Sequence, residues 1–174
     1  SVLLRSKPST TLDLRNKGLT DQLALLLVES LSNDHMPAVR SVLLAGNCLT
    51  EASIPSLLTA IVSNTSITEL DMSSLSVFGV QSQLHHHNLL ASEDKDHITK
   101  AAYTSIQILQ PLLKYMSRRY CPLRKLKLSD CNMDDELCAK LIDCLLKNYN
   151  FEELDLSHNV LGSHGGLLGT VISA

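Results

Sequence analysis

The sequence predicts an α/β solenoid, a stack of short units in which each strand joins one inner sheet and each helix joins an outer layer. Three observations predict it. A short segment with leucines at alternate positions recurs along the chain, the recurrences fall at multiples of one length, and a helical apolar stripe follows them. Four segments share the template: TLDLRNKGL at Thr11 to Leu19, VRSVLLAGNCL at Val39 to Leu49, LRKLKLSDCNM at Leu123 to Met133, and FEELDLSHNVL at Phe151 to Leu161. A fifth, ITELDMSSLSV at Ile67 to Val77, fits more loosely. Val39 to Ile67 and Leu123 to Phe151 are each 28 residues apart, Ile67 to Leu123 is 56, and Ser9 to Val39 is 30.

Each element has its own justification. Alternate residues of a strand point to opposite faces, so Leu12 and Leu14, Val42 and Leu44, Leu126 and Leu128, and Leu154 and Leu156 are assigned to the core. After the first strand the stripe is Leu23, Leu27 and Leu31. After the second it is Ile54, Leu57, Leu58 and Ile61, and after the fourth it is Leu137, Leu141, Cys144 and Leu145. The third repeat departs from this plan, because its stripe begins only at Ile98 and runs through Ala102, Ile106, Leu109, Leu113 and Met116. We therefore expect a helix from about Asp96 to Ser117 and an insertion of about residues 78–97. A complete but degenerate repeat is the competing reading. The 56-residue interval favours it, but KDHITKAA at Lys95 to Ala102 offers no strand leucines. The expectation is one domain over residues 1–174, with repeats starting near 9, 39, 67, 123 and 151.

These segments resemble the leucine-rich repeat signature LxxLxLxxN/CxL. The unit of about 28 residues with a long helical half is similar to the ribonuclease-inhibitor-like subfamily, which includes the Ran GTPase-activating protein, the tropomodulins and the nucleotide-binding innate immune sensors. The resemblance covers nearly the whole chain outside roughly residues 78–100. It implies that Asn47 and Asn159 form an internal ladder satisfying backbone groups where the chain leaves each strand, with Cys131 as a substitute. Lys17 and Leu75 occupy that position in the other two repeats, so the ladder should be weak or broken there.

Composition narrows the function. Apolar residues make up 44% of the chain, aromatics only 3%, and there is no Trp. The apolar run Leu23 to Val28 is far shorter than the about 20 residues that span a bilayer. The first ten residues have no apolar stretch suited to a signal peptide. Five cysteines without a CxxC pair suggest reduced thiols and a cytoplasmic setting, with nuclear or cytoskeletal placement as variants. Cys138 and Cys144, six apart on a helix, do not share a face as zinc ligands would. No GxSxG, Walker, GxGxxG or HExxH motif is present, and His158 and His164 have no nucleophile beside them in the pattern, so the expectation is a non-enzyme without cofactors.

The strand positions alternating with the core leucines are Asp13, Arg15, Leu43, Ala45, Glu69, Asp71, Lys125, Lys127, Glu153 and Asp155, and all of them but Ala45 form the candidate interface. These side chains face the inner, concave sheet, where Asp71, Lys127 and Asp155 either neutralise one another across neighbouring strands or meet a partner. The basic run Lys114, Arg118, Arg119, Arg124, Lys125 and Lys127 spans a helix end, a loop and a strand. It therefore lacks the single stripe that nucleic acid requires. The triplet His85, His86 and His87 lies in the insertion. A metal there would need His85 and His87 on one strand face with Asp94, Asp96 or His97 folding back, and the better reading is a partner-facing loop. The chain lacks an initial Met and stops in an apolar helix, which suggests part of a longer chain or assembly. The expected function is a non-catalytic scaffold or adaptor that binds another protein, within a cytoskeletal or multi-subunit assembly as one case. It would act through the concave face and the 78–97 insertion, with no membrane or nucleic-acid role. The alternatives are an enzyme regulator (a GTPase activator or an enzyme inhibitor) and a sensor segment of an innate immune receptor.

Overall fold

The computed structural model describes residues 10–32, 39–75 and 105–159. Five short strands, β1 Thr11–Asp13, β2 Ser41–Leu43, β3 Glu69–Asp71, β4 Lys125–Lys127 and β5 Glu153–Asp155, form one parallel sheet in sequence order. Among the described residues four helices lie against it: α1 Asp21–Ser32, α2 Ile54–Ser63, α3 Ser105–Met116 and α4 Asp135–Leu145. Neighbouring strands sit just under 5 Å apart whereas packed helices need 8–10 Å, so a one-strand, one-helix unit bends the stack with the sheet inside. β3 pairs directly with β4, Leu70 beside Leu126, so no strand from the 56-residue interval enters the sheet between them. The 78–97 insertion and the first part of the expected Asp96 to Ser117 helix lie outside the described residues.

Each neighbouring pair of repeats is joined by the same backbone bonds. Leu14 N–H donates to Leu43 O, Leu44 to Asp71, Met72 to Lys127 and Leu128 to Asp155, at 2.7–2.9 Å. Two residues on, Asn16, Gly46, Ser74 and Asp130 donate to Ala45, Ser73, Ser129 and Ser157 at 2.8–3.0 Å. Those donors, with His158, also share the left-handed backbone region, at φ from 52° to 67°. Gly enters that region at no steric cost, and Asn, Asp and His are enriched there among the other residues. Ser74 is the departure. At Gly46 a Cβ would collide with the Asn16 side-chain oxygen, whereas at Gly18, φ 66°, it would meet nothing within 4 Å.

The ladder residue follows each of these turns. Asn47 accepts from Lys17 N (3.2 Å) and Leu19 N (2.9 Å) and donates to the Leu14 and Leu44 carbonyls (2.8 and 2.6 Å). Asn159 does the same one interface from the other end, accepting from Cys131 and Met133 and donating to Leu128 and Leu156. Between them Leu75 is a fully buried hydrocarbon. The Cys131 thiol reaches Met72 O at 3.2 Å and Ser129 O at 3.4 Å. Burial pushes that thiol up to about 11, so it remains a protonated donor at neutral pH. Cys121, Cys138 and Cys144 are buried as well, and Cys48 is exposed.

The core is a seam of strand residues meeting helix stripes. Val42, Leu44, Leu70, Leu126 and Leu128 are fully buried, and Ile54, Leu57, Leu58, Ile61, Leu109, Leu137 and Leu141 cover them. One assignment fails: Leu23 is 48% exposed, and Ala24 takes its place inside with Leu27 and Leu31. Residues four apart advance about 40° around a helix, so a Leu23, Leu27, Leu31 series rotates away from a single facing direction. Helix starts are fastened differently. Asp134 caps α4 by accepting from Leu137 N at 2.7 Å. Asp21, opening α1, accepts from Thr50 N, Thr50 Oγ1 and Ser53 Oγ of the next repeat.

Two outcomes are expected. By thermal unfolding, Gly18→Ala costs about 1 kcal/mol, the left-handed penalty alone, and Gly46→Ala about 2 kcal/mol because Asn16 must also move. Burial raises the Asp21 carboxyl, but the Ser53 and Thr50 hydrogen bonds outweigh it and hold the pKa below the usual carboxylate value. Its stabilising effect is therefore complete above the unfolded pKa of about 3.9 and disappears as pH falls through the depressed folded value. Urea unfolding of Asp21→Asn should show less dependence on pH below about 4 than the parent chain shows.

Candidate interaction face

Strand register arranges the concave side chains in rows. One row runs Thr11, Ser41, Glu69, Lys125, Glu153, and the next runs Asp13, Leu43, Asp71, Lys127, Asp155. Beyond the strand ends come Arg15, Ala45, Ser73, Ser129 and Ser157, of which Ser129 and Ser157 are joined through their hydroxyls at 2.8 Å. Opposite charges thus alternate along both rows over the last three strands.

The ion pairs do not follow the expected line. Lys127 is beside both Asp71 and Asp155 in register, but its Nζ leans diagonally to Glu153, at 3.6 Å, where Lys125 also binds at 2.9 Å. Asp71 and Asp155 are turned toward their own backbones instead: Asp71 accepts from Ser73 N and Asp155 from Ser157 N, both at 3.0 Å. Asp13 repeats the motif with Arg15 N at 3.1 Å and also holds the Arg15 guanidinium at 2.6 Å. A carboxylate two residues before an N–H closes a tight local turn, an option that a sequence reading based on cross-strand neighbours overlooks. The expected Asp71, Lys127, Asp155 neutralisation is therefore replaced by a Lys125, Lys127, Glu153 cluster and separately fastened aspartates.

These arrangements set the electrostatics. The Arg15 side-chain and backbone bonds bring the exposed Asp13 carboxyl down to about 2. Lys125 and Glu153 stabilise each other's charged forms, through a hydrogen bond first and through-space attraction second, so Lys125 is raised and Glu153 lowered. Asp155 is lowered by its Ser157 bonds. Glu69 accepts from Ser41 Oγ at 2.7 Å, and Leu43 lies half-buried in the row between Asp13 and Asp71. Exposed pairs such as these contribute little to folding, so the pattern matters chiefly as a surface that selects what approaches.

The rest of the basic run divides. Arg124 pairs with Glu152 beside the sheet. The Arg118 and Arg119 guanidinium carbons lie 5.4 and 5.7 Å from the Tyr115 and Tyr120 ring centroids. The sequence reading missed Tyr120 and Tyr149, which are 80% and 91% exposed in the loops leading into β4 and β5. Their placement in helix-to-strand connections, without an apolar period to bury them, was the available signal. His158 occupies one of the exposed left-handed turns, whereas His85, His86, His87 and His164 lie outside the described residues. Among the described residues, no three His, Cys, Asp or Glu side chains group as metal ligands, and no helix is long and apolar enough to cross a membrane.

Replacing Glu153 by Gln should lower the Lys125 amine toward its ordinary value near 10.5, as read by NMR titration of its side-chain carbons. An unmoved Lys125 would show that Glu153 does not hold it.

No family model matches the chain. Its sequence is similar to mouse ribonuclease inhibitor, 32% identical over 166 residues, covering 95% of this chain and 30% of that protein. It is also similar to mouse NACHT, LRR and PYD domains-containing protein 14, 29% identical over 165 residues, covering 95% of this chain and 14% of that one. Pig ribonuclease inhibitor matches at 33% over 86 residues, 47% of this chain and 19% of that protein. The chain thus spans less than a third of the length of these curated relatives. Among solved structures, leiomodin-1 actin-binding site 2 superposes with a TM-score of 0.62 over 94% of this chain and 79% of that one, at 16% identity, a likeness of fold. Repeat length, strand order and sequence likeness agree, and the chain belongs to the leucine-rich repeat proteins of the ribonuclease-inhibitor-like kind.

Proposed function

We propose that this chain is a non-catalytic protein-interaction scaffold whose concave sheet receives a folded partner. The observation that carries the reading is the alternation of charge across β3, β4 and β5, with Leu43 as a half-buried apolar point in the same row as Asp71, Lys127 and Asp155. A broad concave sheet face lined with fixed, opposite charges suits an extended complementary surface better than a small substrate. The 78–97 segment, with His85, His86 and His87, is included in the proposed contact because it lies in the sequence between β3 and α3. We place the whole in a single domain of five repeats within a larger chain or assembly, in the cytoplasm.

The likeness to ribonuclease inhibitor supports a second reading, in which the bound partner is an enzyme and binding blocks it. Both readings are tested together. The immobilised chain should capture a partner from a cytosolic extract, and Lys125→Glu with Lys127→Glu should reduce capture at least tenfold. This pair removes none of the turn-closing aspartates, breaks the Glu153 cluster and reverses the charge between the acidic strands. Undiminished capture by the variant would remove the concave face as the binding surface. If the captured protein is an enzyme whose turnover falls on adding the chain, the inhibitor reading replaces the scaffold reading.

A further inference from the structure

The outer face carries a second feature, independent of the sheet. Between α2 and α3 lies a groove of about 660 Å³, within the range of sites that hold small ligands or short peptide segments. Its apolar walls include Pro55 and Val62 on α2 and Pro111 on α3, and hydroxyl and amide groups such as Thr59 and Gln110 stand among them. Toward the C-terminal end of α3 its lining is cationic, with Lys114 in the last turn and Arg118 in the turn that follows. Among the described residues no acidic side chain lines it, and no carboxylate pairs with either cation. Arg118 is held in place against the Tyr115 ring. Lys17, Arg40, Arg119, Lys140 and Lys147 likewise have no ion pair among the described residues, but none of them lines this groove, and Lys114 and Arg118 do.

We propose that this convex groove is a docking site for a short acidic segment of a partner protein, with an apolar side chain against the prolines and Val62 and a carboxylate between Lys114 and Arg118. Charge complementarity selects the occupant. Two cations at one end of an apolar channel, with no carboxylate partner among the described residues, favour an anion joined to hydrocarbon. A nucleic acid is disfavoured because, among the described residues, no aromatic ring lines the groove to stack a base. The length fits as well: α2 has ten residues, so the channel runs about 15 Å, the span of four or five extended residues. The site does not involve the concave charges, so it adds a second attachment point to the scaffold reading and does not depend on it.

The test is selection of phage-displayed dodecapeptides on the immobilised full chain, followed by fluorescence polarisation with the labelled consensus peptide. The expected consensus places two or more Asp or Glu beside a Leu, Ile, Val or Phe. Lys114→Glu with Arg118→Glu should weaken that peptide at least tenfold. Thr59→Tyr, which fills the channel from an exposed position, should weaken it comparably, and Lys125→Glu with Lys127→Glu should change it less than twofold. Circular dichroism melts confirm that each variant is folded. Failure to select any peptide, a consensus without acidic residues, or binding lost only in the concave variant overturns the proposal. Sedimentation velocity covers the remaining occupant: self-association abolished by Lys114→Glu with Arg118→Glu would assign the groove to a second copy of the chain and overturn it too.

Discussion

Every repeat contributes the same pair of backbone donors to the interface it shares with the next, one just after the strand and one two residues later. At the first interface these are Leu14 N–H to Leu43 O and Asn16 N–H to Ala45 O, and the other three interfaces copy them to within a few tenths of an ångström. The rest of the architecture depends on that repetition. It sets the strands in register, which puts the alternating leucines in one seam and the alternating charges in rows on the opposite face. It also requires the chain to turn sharply after each strand, which explains why five equivalent positions share a left-handed backbone conformation.

The turn places a side chain where backbone groups would otherwise be buried without partners, and the repeats solve this unequally. Asn47 and Asn159 each bond both to their own turn and to the repeat before, with two acceptor and at least two donor contacts. Cys131 supplies a weaker version through its thiol, and Leu75 supplies only packing. A buried unpaired polar group costs about 1–3 kcal/mol, so the third repeat relies more on its hydrophobic seam than its neighbours do. That same repeat contains the long 56-residue interval, and it still makes both standard bonds to β4. The sheet tolerates the interval because its two ends return to the same register.

Surface chemistry divides along the two layers. The sheet presents paired charges whose partners are mostly on the same face: Lys125 and Lys127 on Glu153, Arg15 on Asp13. A partner at the proposed concave site would exchange these pairs for its own, which favours specificity over raw affinity. The helical layer presents the reverse, an apolar channel with two cations that have no carboxylate partner on the described surface. A solenoid can carry both because its layers are linked by the core but chemically separate.

Periodicity determined the architecture from the sequence alone. Leucines at alternate positions followed by helical stripes specify inside and outside wherever the period is long enough to average over errors, which is why β2, β4 and the α2 and α4 stripes were legible residue by residue. Leu23 was misassigned because a four-residue step drifts around the helix and nothing local records the drift. The concave residues were also legible as a set, since alternation assigns faces, with the exception that Asp71 is buried. Their pairing was not. Whether Lys127 meets Asp71, Asp155 or Glu153 depends on which carboxylates the backbone has already claimed, and Asp71 and Asp155 are held by Ser73 and Ser157 N–H groups at turns that form only in the stacked structure. The groove between α2 and α3 was likewise absent from the sequence, because Val62 and Lys114 are 52 residues apart and become neighbours only when repeats pack side by side. Local period is written in the chain; the contacts between units are made by packing.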